Sequence, residues 1–94
     1  MLKTDPKDSF LCYALALEHE KESQTKEAIE IIEDLLSNDP NYLGAYYKLG
    51  QLYEQIDKAG KAIEIYQTGI KLANEKKDNK TKGELEEALW LIED

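Results

Sequence analysis

Along the chain, apolar side chains recur three and four residues apart and do not alternate, which is the spacing of helices and not of strands. Between Ser9 and Glu22, Cys12, Leu15, Ala16 and the body of His19 stand at i, i+3, i+4 and i+7. From Thr25 to Asn38, Ala28, Ile31, Ile32, Leu35 and Leu36 form a second stripe. Tyr46, Leu49, Gly50 and Tyr53 mark a third helix, and Ala62, Ile65, Tyr66, Gly69 and Ile70 a fourth. The joints KESQT and QIDKAG are short and polar, as antiparallel helix pairs require. Asp5-Pro6 and Asp39-Pro40 read as helix starts, because aspartate caps and proline fits a first turn where its missing N–H costs nothing.

The four stripes are two copies of one unit. Slid by 34 residues, Asp5-Pro6 falls on Asp39-Pro40, Tyr13 on Tyr47, Leu15 on Leu49 and Glu20 on Glu54, and Ala28-Ile29-Glu30-Ile31 falls on Ala62-Ile63-Glu64-Ile65. Such a period marks a repeat architecture. It also gives Gly50 a purpose, although a mid-helix glycine costs about 1 kcal/mol relative to alanine. Gly50 aligns with Ala16, and Ala62 with Ala28. Small residues at both positions predict that the helices of each pair approach most closely there, with larger neighbours interlocking around them.

A third unit fails at Gly83, yet GELEEALWLIED is helical, with Leu85, Ala88, Leu89 and Ile92 in a stripe that Leu91 widens. This predicts a closing helix over about 81–93 that covers the open face of the second unit. Helix four is expected to run on through LANEKKDN to a turn around Asn79 to Lys82.

The residues at fixed places in each unit resemble the tetratricopeptide repeat (TPR) family, in the manner of a small bacterial-type protein with two repeats and a capping helix. Tyr46, Leu49, Gly50, Tyr53, Ala62, Tyr66 and Gly69 follow that pattern, with Asn74 where the closing proline stands. Cys12, Leu15, Ala16, His19, Ala28, Ile32, Leu35 and Pro40 follow it more loosely, proline included. The resemblance covers residues 5 to about 76. It implies an all-α fold: a right-handed α–α superhelix of two helix hairpins plus the capping helix, five helices in one domain over 1–94. Repeat one spans about 5–38 and repeat two about 39–76.

In this family the first helix of each unit lines a concave groove. The groove-facing positions here are Phe10, Tyr13, Leu17, Glu20 and Lys21, then Gly44, Tyr47, Gln51, Glu54 and Gln55. Phe10, Tyr13, Leu17 and Tyr47 would form an apolar, aromatic strip suited to an extended or helical peptide. Trp90 lies roughly 140° round from Leu85 on a helical wheel. Its ring either lies along its own helix and helix four or, if Leu85 takes the family's first large position, anchors a partner or a second copy on the groove side. Some relatives hold chaperone C-terminal carboxylates with lysine and asparagine. The matching positions here are Tyr13, Leu17, Lys48, Asp78 and Lys82, so that activity does not carry over.

Composition narrows the function further. Hydrophobic residues at 41% and charged residues at 34% suit a soluble helical chain and are too apolar for disorder. Twenty acidic against twelve basic residues give a net charge of −8, the wrong sign for nucleic acid or an anionic membrane. No apolar run reaches the roughly 20 residues of a membrane span, and MLKTDPKD lacks a secretory h-region, which predicts a cytoplasmic protein. One cysteine and one histidine predict no disulfide and no metal site. Carboxylates are expected on solvent-facing positions in pairs such as Glu54–Lys58. His19 stands where Tyr53 does and Cys12 where Tyr46 does, which reads as packing and not catalysis. The expectation is a non-catalytic, cofactor-free module that binds a protein or peptide through Phe10, Tyr13, Leu17, Tyr47, Gln51 and Trp90. The alternative is a self-assembly module that pairs two copies through the same apolar residues.

Overall fold

The structure, a computed structural model, describes residues 8–93. These form five α-helices, α1 (Ser9–Lys21), α2 (Thr25–Asn38), α3 (Leu43–Gln55), α4 (Ala59–Glu75) and α5 (Asn79–Glu93), with no strand among the described residues. The all-α fold and the order of its five helices match the spacing of the apolar residues. The chain divides between Tyr42 and Leu43 into two compact units, an α1–α2 hairpin and an α3–α4–α5 group.

One kind of turn reverses the chain three times. After α1, α3 and α4 a single residue takes the left-handed conformation: Ser23 (φ 65°), Asp57 (φ 62°) and Lys77 (φ 59°). The amide that follows then reaches back across the helix end. Gln24 N donates to His19 O at 2.8 Å, Lys58 N to Tyr53 O at 2.9 Å and Asp78 N to Ala73 O at 2.9 Å. This Schellman closure satisfies carbonyls that the helix end leaves open. The α4–α5 turn is therefore built like the turns inside the repeats.

That turn corrects the expected course of helix four. With Asn74 in place of proline, α4 does pass the position equivalent to the end of α2, but it stops at Glu75 and does not run on through Asn79. Lys77 closes it, and Asp78 opens α5, its Oδ1 accepting from Thr81 N at 3.1 Å and its Oδ2 from Thr81 Oγ1 at 2.9 Å. These bonds hold the Asp78 carboxyl below its ordinary pKa, the backbone amide of Thr81 contributing most. The closing helix starts at Asn79 instead of about residue 81 because of this cap.

Asp39-Pro40 is likewise not a helix start. Asp39 caps the C-terminal end of α2, Pro40 lies in the loop, and α3 begins at Leu43. The Asp39 carboxylate instead accepts from Ser9 Oγ at 2.6 Å, tying the loop to the start of α1. That start is capped by Asp8, which accepts from Leu11 N at 3.2 Å. Asp5-Pro6 lies outside the described residues.

Burial follows the number of packing partners. In the second unit α3 packs on both α4 and α5 and buries Ala45, Tyr46, Leu49, Gly50, Leu52 and Tyr53. In the first unit α1 pairs with α2 and buries Ala16 alone. Leu15, expected in the core, is 51% exposed, and Leu91, expected to widen the α5 stripe, is 63% exposed. On α2 the buried residues are Ala28, Ile29, Ile32 and Leu35, so Ile29 is deeper than Ile31 or Leu36.

Ala16, Ala28, Gly50 and Ala62 are all buried, as the small-residue pattern requires. The reason at Gly50 differs from the expected approach to Ala62. A Cβ on Gly50 would lie 2.2 Å from Cε1 of Tyr66, whose ring fills the space, and Tyr66 itself is 0% exposed. The equivalent pair in repeat one is Ala16 and Ile32, both buried. A methyl group moved out of the first helix thus makes room for an aromatic ring on the second. A second exchange lies nearby. A Cβ on Gly69 would come within 2.9 Å of both Tyr46 Cβ and Leu85 Cδ1, whereas repeat one carries Cys12 and Leu35 at the Tyr46 and Gly69 positions.

Replacing Gly50 with alanine gains about 1 kcal/mol of helix propensity but overpacks a closed site, at a cost of about 1–3 kcal/mol. Gly50→Ala is expected to lower the urea midpoint. Gly50→Ala/Tyr66→Ile, which restores the repeat-one combination, is expected to be more stable than the sum of the single changes allows, by about 1 kcal/mol or more. Additive losses would mean that Gly50 and Tyr66 do not share this space.

Candidate functional site

The first unit presents one aromatic face. Phe10, Tyr13 and Leu17 stand at i, i+3 and i+7 on α1, which puts them on one side of the helix. Phe10 is 69% exposed, while Tyr13 and Leu17 are half-buried. Tyr42, at the end of the α2–α3 loop, lays its ring 5.6 Å from that of Tyr13, tilted by 34°. Burial, then the charge of Glu20, raises the Tyr13 pKa. Burial, then Tyr13, Asp39 and Asp8, raises that of Tyr42. Both hydroxyls stay neutral near pH 7, so the face offers flat apolar area with polar tips and no nucleophile.

In the second unit the equivalent positions are Tyr47 and Gln51, one turn apart on α3 and both half-buried. The Tyr47 ring lies 6.4 Å from that of Tyr66, tilted by 44°, so α4 backs the tyrosine that α3 presents. Tyr66 donates its hydroxyl proton to Glu54 Oε2 at 2.5 Å. Burial first, and then this carboxylate, push the Tyr66 pKa well above its ordinary value of 10.0. Glu54 is thus bound to the core tyrosine instead of pairing with Lys58, which lies beyond the end of α3 as the cap of α4.

Trp90 is not brought to Tyr47 or Gln51. It is 68% exposed on α5 and lines a surface pocket whose other walls are α4 and α5 side chains. His19 is half-buried and donates from Nδ1 to Gln24 Oε1 across its turn. Cys12 is half-buried and in no disulfide. Among the described residues no group of three or more histidines, cysteines or carboxylates is placed to hold a metal ion, and no helix is long and apolar enough to cross a membrane.

These units are helix hairpins with matched turns, matched small positions and an aromatic residue on each first helix. The tetratricopeptide repeat family model matches residues 20–77. The chain belongs to the tetratricopeptide repeat family. Solved TPR structures agree over nearly the whole chain. A tetratricopeptide repeat domain protein from Salinibacter ruber, solved by NMR, is 42% identical with a TM-score of 0.90, over 96% of this chain and 91% of that one. A crystal structure of such a domain from the same organism is 42% identical with a TM-score of 0.85, over 92% of this chain and 96% of that one. The crystal structure of MamA shares the fold at 20% identity, with a TM-score of 0.69 over 94% of this chain and 58% of that one. No curated protein matches the chain. TPR domains serve in general as protein-interaction modules.

Sequence reasoning missed Tyr42 and the Tyr66–Glu54 bond. Tyr42 follows Pro40-Asn41 in a loop, where no periodicity assigns it a face. Glu54 aligns with Glu20, but the aromatic donor has no counterpart in repeat one, where Ile32 stands.

Because the folded TPR domain holds the Tyr66 proton more tightly than the unfolded chain does, this contribution to stability is complete below pH 10 and is lost as the pH rises above it. Stability measured by urea unfolding is expected to fall more steeply above pH 10 in the wild type than in Tyr66→Phe. The difference in slope is at most about 1.4 kcal/mol per pH unit. Equal slopes would show that the hydroxyl is not held in this way.

Proposed function

We propose that this TPR domain is a non-catalytic module that binds a peptide or helix of another protein on the faces presented by its first helices. The residues assigned to this role are Phe10, Tyr13 and Leu17 on α1, with Tyr42 beside them, and Tyr47 and Gln51 on α3. The observation that carries the reading is Phe10, a large aromatic left 69% exposed on the same side of α1 as Tyr13, whose ring lies tilted beside that of Tyr42. Rings of this kind supply contact area while losing little side-chain freedom. The tyrosines of both repeats stand at the same position of their units, Tyr13 and Tyr47, so each repeat offers one equivalent anchor. Trp90 stands on a different surface and is not counted in this face.

Self-assembly is the second reading. The exposed Leu11 and Leu15 of α1 favour it, because pairing with another copy would cover them. The charge of −8 on each copy works against it.

The test is retention of native-host proteins on immobilised wild-type domain and on a Tyr13→Ala/Tyr47→Ala variant, with sedimentation of the free domain alongside. Binding is expected to be lost in the double variant while its helical circular dichroism stays intact, and the free domain is expected to sediment as a monomer. A dimer that dissociates on Leu17→Asp would replace this reading with self-assembly. Retention unaffected by the double variant would reject the assigned residues.

A further inference from the structure

The pocket beside Trp90 has a volume of about 350 Å³ and lies between α4 and α5. Ile70 of α4 with Leu89 and Trp90 of α5 give it apolar walls, and Gln67, Glu86 and Glu93 supply its polar lining. Ile70 and Leu89 are half-buried, while Trp90, Gln67, Glu86 and Glu93 are exposed, so two aliphatic groups lie deeper and the tryptophan and the carboxylates stand outermost. The size is near the lower end of the roughly 300–1,000 Å³ usual for ligand sites, which suits a few side-chain anchors on a docked segment. Among the described residues neither Glu86 nor Glu93 has an ion-pair partner.

The last turn of α5 carries charge of the sign its dipole disfavours. A helix favours acidic residues in its first turn and basic ones in its last. In α5 the Asp78 cap satisfies the first turn, which also carries Lys80 and Lys82, whereas at the other end Glu93 stands in a last turn that has no basic residue. The last turn of α5 is therefore a place where the charge of Glu93 adds to the negative end of a helix, beside an open apolar pocket. A cationic neighbour would relieve both effects. Departures from local preference of this kind are expected at functional surfaces.

We propose that the α4–α5 pocket docks a basic amphipathic helix from a partner protein. The apolar stripe of that helix packs on Ile70, Leu89 and Trp90, and its flanking lysines or arginines face Glu86 and Glu93. A second copy of this chain is a poorer occupant, since it brings the same charge of −8 to an acidic rim. The surface is separate from the first-helix faces assigned above and does not depend on them.

The test uses a fluorescein-labelled synthetic peptide of about 18 residues, long enough to form a helix, with a leucine stripe flanked by lysines. Two controls are a scrambled peptide of the same composition without the stripe, and a striped peptide with glutamate in place of lysine. Anisotropy titrations with the full chain near physiological salt are expected to show binding of the basic striped peptide alone. Emission of Trp90, the only tryptophan, is expected to shift to shorter wavelength when the unlabelled peptide is added. Trp90→Ala and Glu86→Lys/Glu93→Lys should each weaken binding about tenfold or more. The proposal is overturned if the scrambled or acidic peptide binds as well, or if Trp90→Ala binds like the wild type. Self-association of the free chain that Trp90→Ala abolishes would overturn it too, by making a second copy the occupant.

Discussion

The aromatic ring of Tyr66 occupies the space that a side chain at position 50 would need, and the second unit is organised around that exclusion. The ring is wholly buried, it lies tilted beside that of Tyr47, and its hydroxyl is satisfied by Glu54 one turn beyond Gly50. A buried hydroxyl without a partner would cost about 1–3 kcal/mol, so the carboxylate is as much a condition of this packing as the glycine is. One position on α3 gives up a methyl group, the next turn supplies an acceptor, and α4 contributes the ring. Burial of the ring repays the lost helix propensity, since a fully buried side chain of this size contributes about 1.5–3 kcal/mol.

The same logic carries the chain from α4 to α5. Gly69 leaves room for Tyr46 on one side and Leu85 on the other, and Leu85 is the one residue of α5 that is fully buried. The closing helix is therefore seated by a glycine on the helix before it and started by the Asp78–Thr81 cap. In the first unit the small and large residues are distributed the other way, Ala16 with Ile32 and Cys12 with Leu35. Two repeats of similar outline thus reach similar packing with volume exchanged between their facing helices.

Much of this was legible in the sequence, for identifiable reasons. Helix periodicity and the 34-residue register read true because each repeat must bury one stripe, and α2 begins and ends at Thr25 and Asn38 as its apolar spacing indicates. The helix ends that went astray are those governed by capping chemistry. Asp39 binds Ser9 instead of opening α3, and Lys77 adopts a left-handed conformation that lysine rarely takes, so nothing in its identity announces the turn. Leu15 and Leu91 satisfy the helical spacing yet stay exposed, because a stripe is buried only where a neighbouring helix exists to cover it. At the candidate surfaces it was the family resemblance, and not periodicity, that assigned Phe10, Tyr13 and Leu17 to one face of α1 and Tyr47 to the equivalent position of α3. Tyr42 comes from a loop, where neither periodicity nor the repeat pattern points to it, and Trp90 turned out to line a pocket between α4 and α5.

The central claim is that the Tyr66 ring lies directly against the Gly50 backbone, and proton NMR of the wild-type chain tests it most directly. The account predicts strong cross-peaks between the Gly50 Hα protons and the Tyr66 ring protons, with at least one Gly50 Hα displaced well away from ordinary helical glycine values by the ring current. Gly50 Hα protons at ordinary helical shifts, with no cross-peak to Tyr66, would contradict it.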